Sequence, residues 1–370
     1  MLFILRIFSF LLFDECICLA VQYYKREAFP ARMQALVFPW QNACGMRGSA
    51  ASRILRARCA RRGRIKRLQA VADALQKLAL TFEENAPMAK HTTLRVGGPA
   101  DFLIEAKSVD DVRAAFRTAQ AYGLPAFLLG SGSNLLVRDG GIRGFAVHLS
   151  GAMSAVEVQG TLLRAGAGAL LSAAAVAAQQ AGLSGLEALS GIPGTCGGAV
   201  YMNAGAYGTE IADVLEEVLL LKKDGTLCRA RAEELALAYR HSRMMETGEI
   251  VLETVFRLVP QARESIAEKM RALAMQRREK QPVTMPSAGS FFKRPPGHFA
   301  GALIEQAGLK GTRVGGAQVS TLHAGFLVNA GGATAQDFLG LAALVSEQVL
   351  KQSGVQLEPE VQIIGCDLSY

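Results

Sequence analysis

The stretch Gly191-Ile-Pro-Gly-Thr-Cys-Gly-Gly-Ala-Val-Tyr-Met-Asn-Ala-Gly-Ala-Tyr-Gly208 decides how this chain is read. It holds six glycines, one proline and no charged side chain. A mid-chain segment so poor in charge does not read as a solvated loop. Glycine has no Cβ, so its backbone can approach a ligand closely, take φ > 0 and present peptide N–H groups as donors. Two readings follow: a main-chain cradle for a large, flat, phosphate-bearing cofactor, or tight turns beneath a buried sheet edge.

A second glycine-rich segment lies about sixty residues upstream. The apolar run Pro125–Leu129 reads as a buried strand delivering Gly130-Ser-Gly-Ser-Asn134, and Leu135-Leu-Val137 continues as strand. The backbone N–H groups, the hydroxyls of Ser131 and Ser133 and the amide of Asn134 form a donor-rich nest suited to a pyrophosphate. No Gly-Lys-Ser/Thr follows and no helix opens, which excludes a Walker loop and a dinucleotide fingerprint. A plain hairpin turn is the competing reading. Two such loops in a strand-rich region fit one cofactor held from two sides.

Outside these loops the spacing predicts helices over Gln69–Leu80, from an N-cap at Ser108 to near Gly123, and over Ala169–Ala181. Further helices are expected over Ser265–Lys280, Ala300–Ala307 and Ala335–Gln352. Short strands are expected over Phe102–Glu105, Phe145–Leu149, Ala155–Val158, Leu162–Ala165, Val214–Lys222, Thr226–Ala230 and Glu249–Leu258. Asn85–Asp101 reads as a turn-rich entry.

Charge is concentrated rather than spread. The chain of 370 residues has a formal net charge of +8. Nine cations and no acid lie between Arg47 and Arg67, so the remainder is close to neutral and carries no general polyanion signature. Leu2–Phe13 is an apolar run too short to span a bilayer, which needs about 20 residues, and Asp14-Glu15 stand where a signal peptide's cleavage site belongs. Residues 1–68 read as an extension outside the fold, without sustained period and largely disordered, or as the product of a start assigned too far upstream. Seven cysteines, an odd number without metal-type spacing, read as reduced thiols.

Three residues stand out chemically. Arg240, in Tyr239-Arg-His-Ser-Arg243, can clamp a carboxylate or carry an anionic intermediate, or be a surface arginine. Ser290 sits in Gly289-Ser-Phe-Phe-Lys-Arg-Pro-Pro296, a proline-closed aromatic loop that can present a hydroxyl in a dry pocket. Without a G-x-S-x-G elbow it reads as a proton donor or binder rather than a nucleophile. Glu360, after Pro359 at the start of a closing strand, suits acid/base work or a salt-bridged edge equally. Arg277, Arg278 and Lys280 end their helix as dipole complements or anion contacts.

Taken together, Gly130–Asn134, Gly191–Gly208, Tyr239-Arg240-x-Ser242, Gly289–Lys293 and Glu358-Pro-Glu360 closely resemble the UDP-N-acetylenolpyruvoylglucosamine reductase family, over about residues 70–366. The short interval from Arg240 to Ser290 matches the more compact of the family's two types. The resemblance implies an α+β chain. A PCMH/vanillyl-alcohol-oxidase-type FAD-binding domain of two subdomains is expected over 69–260, an α+β substrate-binding domain over 263–351, and a closing strand over 355–366 returning to the first subdomain.

By the same resemblance, non-covalent FAD would lie against Gly130, Ser131, Gly132, Ser133, Asn134 and Leu135 on one side. On the other would be Gly191, Ile192, Pro193, Gly194, Thr195, Gly197, Gly198, Asn203, Gly205 and Ala206. NADPH would reduce the flavin and leave, and the enolpyruvyl ether of UDP-N-acetylglucosamine would take its place and receive hydride at the methylene carbon. Arg240 and Glu360 match the positions that stabilise the enolate-like intermediate, and Ser290 matches the proton donor. Tyr239, Lys280, Lys293 and Arg294 are the candidate substrate and nucleotide contacts. Arg294 stands where some relatives carry Asn, and Arg243-Met244 where an aromatic is expected. Cys196 reads as a small buried filler rather than a flavin attachment.

A small sugar-nucleotide substrate, a cytoplasmic location and a monomer are expected, with no nucleic-acid partner, stable membrane insertion or metal. The competing enzyme reading is another flavin oxidase of this fold acting on a sugar or hydroxy acid. An Arg-x-x-Ser/Thr-Gly-His attachment site would favour it, and the sequence contains none. A basic RNA- or membrane-binding protein using residues 47–67 is the competing reading from another class.

Overall fold

The computed structural model describes residues 50–368, with side chains from residue 63 onward. The apolar run Leu2–Phe13 and the rest of residues 1–49 lie outside the described residues. The chain divides into two compact units, residues 1–72 and 73–370. In the first, residues 50–72 are helical, within a helix over Ala50–Lys77. The expected start at Gln69 is therefore corrected: residues 50–68 are helical and not irregular. Alanine, arginine and leucine favour helix strongly when summed over such a length, although they lay down no apolar stripe for periodicity to detect.

The second unit carries three substantial sheets. The first has the order Thr81–Pro87, Pro99–Ala106, Ile142–Leu149, Ala126–Leu129. Its outer pair is antiparallel and the other pairings are parallel. The helix Val109–Ala121 makes the crossover, starting on a capping box in which Ser108 Oγ accepts from the Asp111 N–H and the Asp111 carboxylate accepts from the Ser108 N–H. Phe102 and Phe145, partners across a parallel pair, meet edge to face at 5.4 Å in the core. Thr81–Pro87 extends into the segment expected to be only turns. Its exposed acids hide the strand, because only Ala86 is buried.

The second sheet is antiparallel throughout, in the order Leu227–Arg231, Leu215–Leu221, Ile250–Arg257, Leu162–Gly166, Val156–Gln159. The third runs Ser287–Ser290, Phe326–Asn329, Ala317–Val319, Arg313–Val314. It packs with the helices Ala300–Gln306 and Ala335–Ser353 around Phe291, Phe292, Phe338, Leu341 and Val345. That apolar cluster also takes in Leu94, Val96 and Leu136 from the entry segment and the strand after the first glycine loop. Asp139 joins the same elements by accepting from the N–H groups of Ala335 and Gln336 at 2.8 and 3.0 Å. The strand Gln362–Ile364 pairs in parallel with Leu135–Val137. The result brings the first glycine loop, the Ser290 strand and the Glu360 segment to one place.

Candidate active site

The deciding stretch is not one continuous loop. After Pro193 and Gly194, Thr195 caps a short helix, Cys196–Tyr201, by accepting from the Gly198 N–H at 3.2 Å. A two-residue hairpin then pairs Gly205–Ala206 with Thr209–Glu210. Glycine is needed where this segment meets its neighbours. A Cβ on Gly197 would stand 2.6 Å from that of Ala167, and one on Gly130 would stand 2.8 Å from Thr195 Oγ1. The two glycine-rich segments therefore lie directly against each other.

Between them opens a cavity of about 530 Å³. The first segment lines it from Gly130 through Leu135, and the second contributes Ile192, Pro193, Gly194, Thr195, Gly197, Gly198, Gly205 and Ala206. Arg240, Ser290 and Glu360, far apart in sequence, all reach the same cavity. Its apolar wall includes Phe116, Phe127, Met202, Met244, Met245 and Val251, which the sequence reading missed. Ordinary core-type residues give no signal of lining a site until the fold places them.

The Arg240 backbone is held with unusual care. Ala238 and His241 exchange two backbone hydrogen bonds of 3.1 Å, so Tyr239 and Arg240 form the tip of a two-residue turn. Arg240 sits at φ +53°, a left-handed conformation costing about 1–2 kcal/mol for a residue with a Cβ. Fully buried Ser242 anchors the turn by donating to the Tyr201 carbonyl at 2.6 Å. Asn203 donates from Nδ2 to the Ala238 carbonyl at 3.0 Å and to Glu210 Oε2 at 2.9 Å, while its Oδ1 accepts from the Ala212 N–H.

Arg240 Nε donates to Glu360 Oε1 at 2.6 Å, and Nη2 donates to the Gly205 carbonyl at 3.3 Å. The two side chains are only 18 % and 14 % exposed. Burial raises the Glu360 carboxyl above its ordinary value, against the opposing pull of Arg240 and Lys293. The Glu360 N–H donates to the Phe291 carbonyl at 2.8 Å, which ties Glu360 to the residue following Ser290. Asn134 Nδ2 donates to the Glu360 carbonyl at 3.2 Å, and the Gln362 N–H donates to the Asn134 carbonyl at 3.0 Å. Ser290 Oγ has no hydrogen-bond partner among the described residues.

Other expected contacts fall elsewhere. Asn203 is 1 % exposed and stands behind the wall, where it supports the Arg240 turn instead of facing a ligand. Gly191 lines an adjoining chamber but not this cavity. Tyr239, Lys280, Lys293 and Arg294 do not line the cavity either. Tyr239 accepts at its hydroxyl from the Arg294 N–H, and Arg294 lies 4.4 Å over the Phe299 ring. Lys293 pairs with Glu358 at 3.6 Å, and Lys280 is exposed at its helix end. These side chains found solvent, a ring or a neighbouring acid, which the Phe-Phe-Lys-Arg pattern could not foretell. Cys196 is buried outside the lining, and burial pushes its thiol up to about 12. Cys196, Cys228 and Cys366 are unpaired.

Comparison with known proteins joins this geometry to a family. Residues 281–364 match the model of the UDP-N-acetylenolpyruvoylglucosamine reductase C-terminal domain, and residues 100–231 match an FAD binding domain. The UDP-N-acetylenolpyruvoylglucosamine reductase of Agathobacter rectalis is 49 % identical over 310 residues, covering 80 % of this chain and 98 % of the relative. The chain belongs to the UDP-N-acetylenolpyruvoylglucosamine reductase family. The reductase of Latilactobacillus sakei is 46 % identical over 301 residues, 81 % of this chain and 98 % of its own. The crystal structure of the Thermus caldophilus reductase superposes with a TM-score of 0.66 at 37 % identity, covering 77 % of this chain and 98 % of that one.

The lining fits the flavin dinucleotide that the family fold implies. Among the described residues, the N–H groups of Ser131, Gly132, Ser133 and Asn134 donate to no protein acceptor. Unpaired backbone donors at a cavity wall are costly unless a ligand or water accepts from them. Gly132, at φ +61°, holds this loop so close to the entry segment that a Cβ would fall 2.1 Å from the His91 carbonyl oxygen. The donors are thus set for an anionic group, with apolar walls on either side for a flat ring.

Proposed function

We propose that this reductase converts UDP-N-acetylenolpyruvoylglucosamine to UDP-N-acetylmuramate for peptidoglycan precursor synthesis, with non-covalent FAD as cofactor and NADPH as reductant. The observation that carries the residue-level reading is the meeting of Arg240, Ser290 and Glu360 at a cavity walled by two glycine-rich segments. FAD, when bound, supplies hydride transfer, accepting from NADPH and delivering to the enolpyruvyl methylene carbon. Every other task falls to side chains of this chain.

Hydride addition at the methylene carbon leaves negative charge on the adjacent carbon and its carboxylate. Arg240 offers a permanent cation with fixed donors, preset by its strained turn and by Glu360. Burial favours the neutral form of Glu360, in which it can donate a hydrogen bond to the developing charge. Ser290, whose hydroxyl has no protein partner, gives its proton to the adjacent carbon. A serine hydroxyl is a weak acid, so this transfer requires a strongly basic carbanion and little water. The apolar wall supplies the water-poor surroundings.

Both substrates are phosphorylated solutes, which supports action in the cytoplasm. The test follows NADPH oxidation by the flavin-loaded protein with and without the enolpyruvyl sugar nucleotide, with product identified by mass. Consumption tied to formation of a product two hydrogens heavier supports the proposal; consumption independent of that nucleotide contradicts it.

A further inference from the structure

Beside the main cavity lies a second chamber of about 660 Å³, sharing Gly130, Ser131, Pro193, Arg277 and Gly289 as common wall. Its titratable side chains are all basic. Lys90, His91 and Arg95 enter from the segment after the first strand, His148 from the first sheet and Arg277 from the helix Arg263–Lys280. Among the described residues, no carboxylate lines it. Glu105, the cross-strand partner of His148, stands outside the lining.

Arg277 is the singular member. Its guanidinium is partly withdrawn from water and has no hydrogen-bonded or ion-paired partner among the described residues. Burial disfavours its charge, offset only by the Tyr207 phenol. Gly191 makes room for it, since a Cβ there would meet Arg277 Cδ at 3.2 Å and Nη1 at 3.3 Å. A folded protein holds such a cation, among four more basic side chains and no acid, where an anion neutralises the set. The cations expected to meet phosphate, Lys280, Lys293 and Arg294, line neither chamber.

Building on the reductase reading above, we propose that this chamber binds the phosphoryl groups of the incoming nucleotide, with Arg277 at the boundary with the flavin cavity as principal contact, Lys90 and Arg95 as the surrounding cations, and His91 and His148 as further ring N–H donors. Two sources carry that chemistry, the diphosphate of the sugar nucleotide and the phosphates of NADPH. The chamber orients whichever enters while the shared wall leaves its reactive end at the flavin cavity.

The test titrates flavin-loaded wild-type, Arg277→Met, Arg277→Lys and Lys90→Ala proteins with UDP, NADP⁺ and NAD⁺ by calorimetry. Flavin content and absorbance spectrum serve as folding controls. A lost charge-assisted contact is worth about 1.5–3 kcal/mol, so Arg277→Met should weaken phosphate-bearing ligands by roughly 10- to 100-fold. Arg277→Lys should recover part of that loss, and Lys90→Ala should show a smaller one. Weakening of UDP alone assigns the chamber to the sugar nucleotide. Weakening of NADP⁺ but not NAD⁺ assigns it to the 2′-phosphate, and weakening of both dinucleotides assigns it to their diphosphate. Wild-type affinities for all three ligands in Arg277→Met and Lys90→Ala would overturn the proposal. Failure of the reductase reading shows separately, as wild-type protein that never turns over the enolpyruvyl nucleotide.

Discussion

Arg240 donates from Nε to Glu360 Oε1 across 2.6 Å, joining two residues 120 positions apart at the wall of the cavity between the two glycine-rich segments. The pair is mostly buried, and each member is fixed independently. Arg240 is set by a left-handed turn, and Glu360 by backbone bonds to Phe291 and from Asn134. On the proposed chemistry, such a site has its donors in place before charge develops, so little reorganisation accompanies the reaction.

Glu360 sets a pH dependence whose sign follows from its surroundings. Its carboxyl is raised by burial, so above the ordinary value of 4.5 the folded protein keeps a proton that the unfolded chain has lost. The stability contributed by this residue is therefore present at low pH and falls as pH rises through the raised value. Glu360→Gln should remove that decline from urea midpoints measured between pH 4 and 8. It should also slow oxidation of reduced flavin by the enolpyruvyl nucleotide by about 100-fold or more. An unchanged pH profile of stability would show that Glu360 titrates normally.

Gly132→Ala places a Cβ 2.1 Å from the His91 carbonyl oxygen at a residue with φ +61°. The loop must shift, carrying with it the N–H donors that face the cavity. The purified variant is expected to hold little flavin, read as the ratio of flavin to protein absorbance. Near-stoichiometric flavin would mean that this loop does not hold the cofactor.

The helix Ala335–Ser353 depends on its capping box. Asp337 accepts from the N–H groups of Thr334 and Gly316, bonds that lower its carboxyl below the ordinary value of 3.8. A depressed carboxyl stabilises the fold above the ordinary value, and the contribution is lost as pH falls through the depressed one. Asp337→Ala should cost about 1 kcal/mol and lower Tm by about 2 °C at pH 7, with the difference shrinking under acid. Calorimetry at pH 7 and pH 3 gives the comparison.

Cys196 should resist alkylation in the native protein, because burial holds its thiol near 12. Peptide mapping after brief iodoacetamide treatment at pH 8 should find Cys228 and Cys366 modified before Cys196. Early modification of Cys196 would show that its helix opens readily.

Much of this architecture was legible because its signals are local. Ser108 with Asp111, the alternating apolar runs and the glycine stops of helices mark elements without tertiary help. The two glycine-rich loops and the set of Arg240, Ser290 and Glu360 came from ordered motifs, and the fold places these elements around one cavity. The direction of Asn203 was not legible, because an amide in a glycine loop gives no sign of which way it faces; folded, it supports the Arg240 turn. The positions of the Lys293 and Arg294 side chains were not legible for a related reason, since a long cation takes whichever acid or ring is near. Arg277 was read as a helix-dipole complement or an anion contact with nothing to choose between them, because its lack of a partner is a property of the packed structure.

The most direct test of the account is anaerobic stopped-flow spectroscopy of flavin in wild-type and Ser290→Ala proteins. NADPH should bleach the flavin at similar rates in both. The enolpyruvyl nucleotide should then restore colour rapidly in wild type and about 10²- to 10⁴-fold more slowly in Ser290→Ala, the range for loss of a positioned proton donor. Equal slowing of bleaching and recolouring, or recolouring at the wild-type rate, would contradict the assignment of Ser290 and with it the proposed chemistry of the cavity.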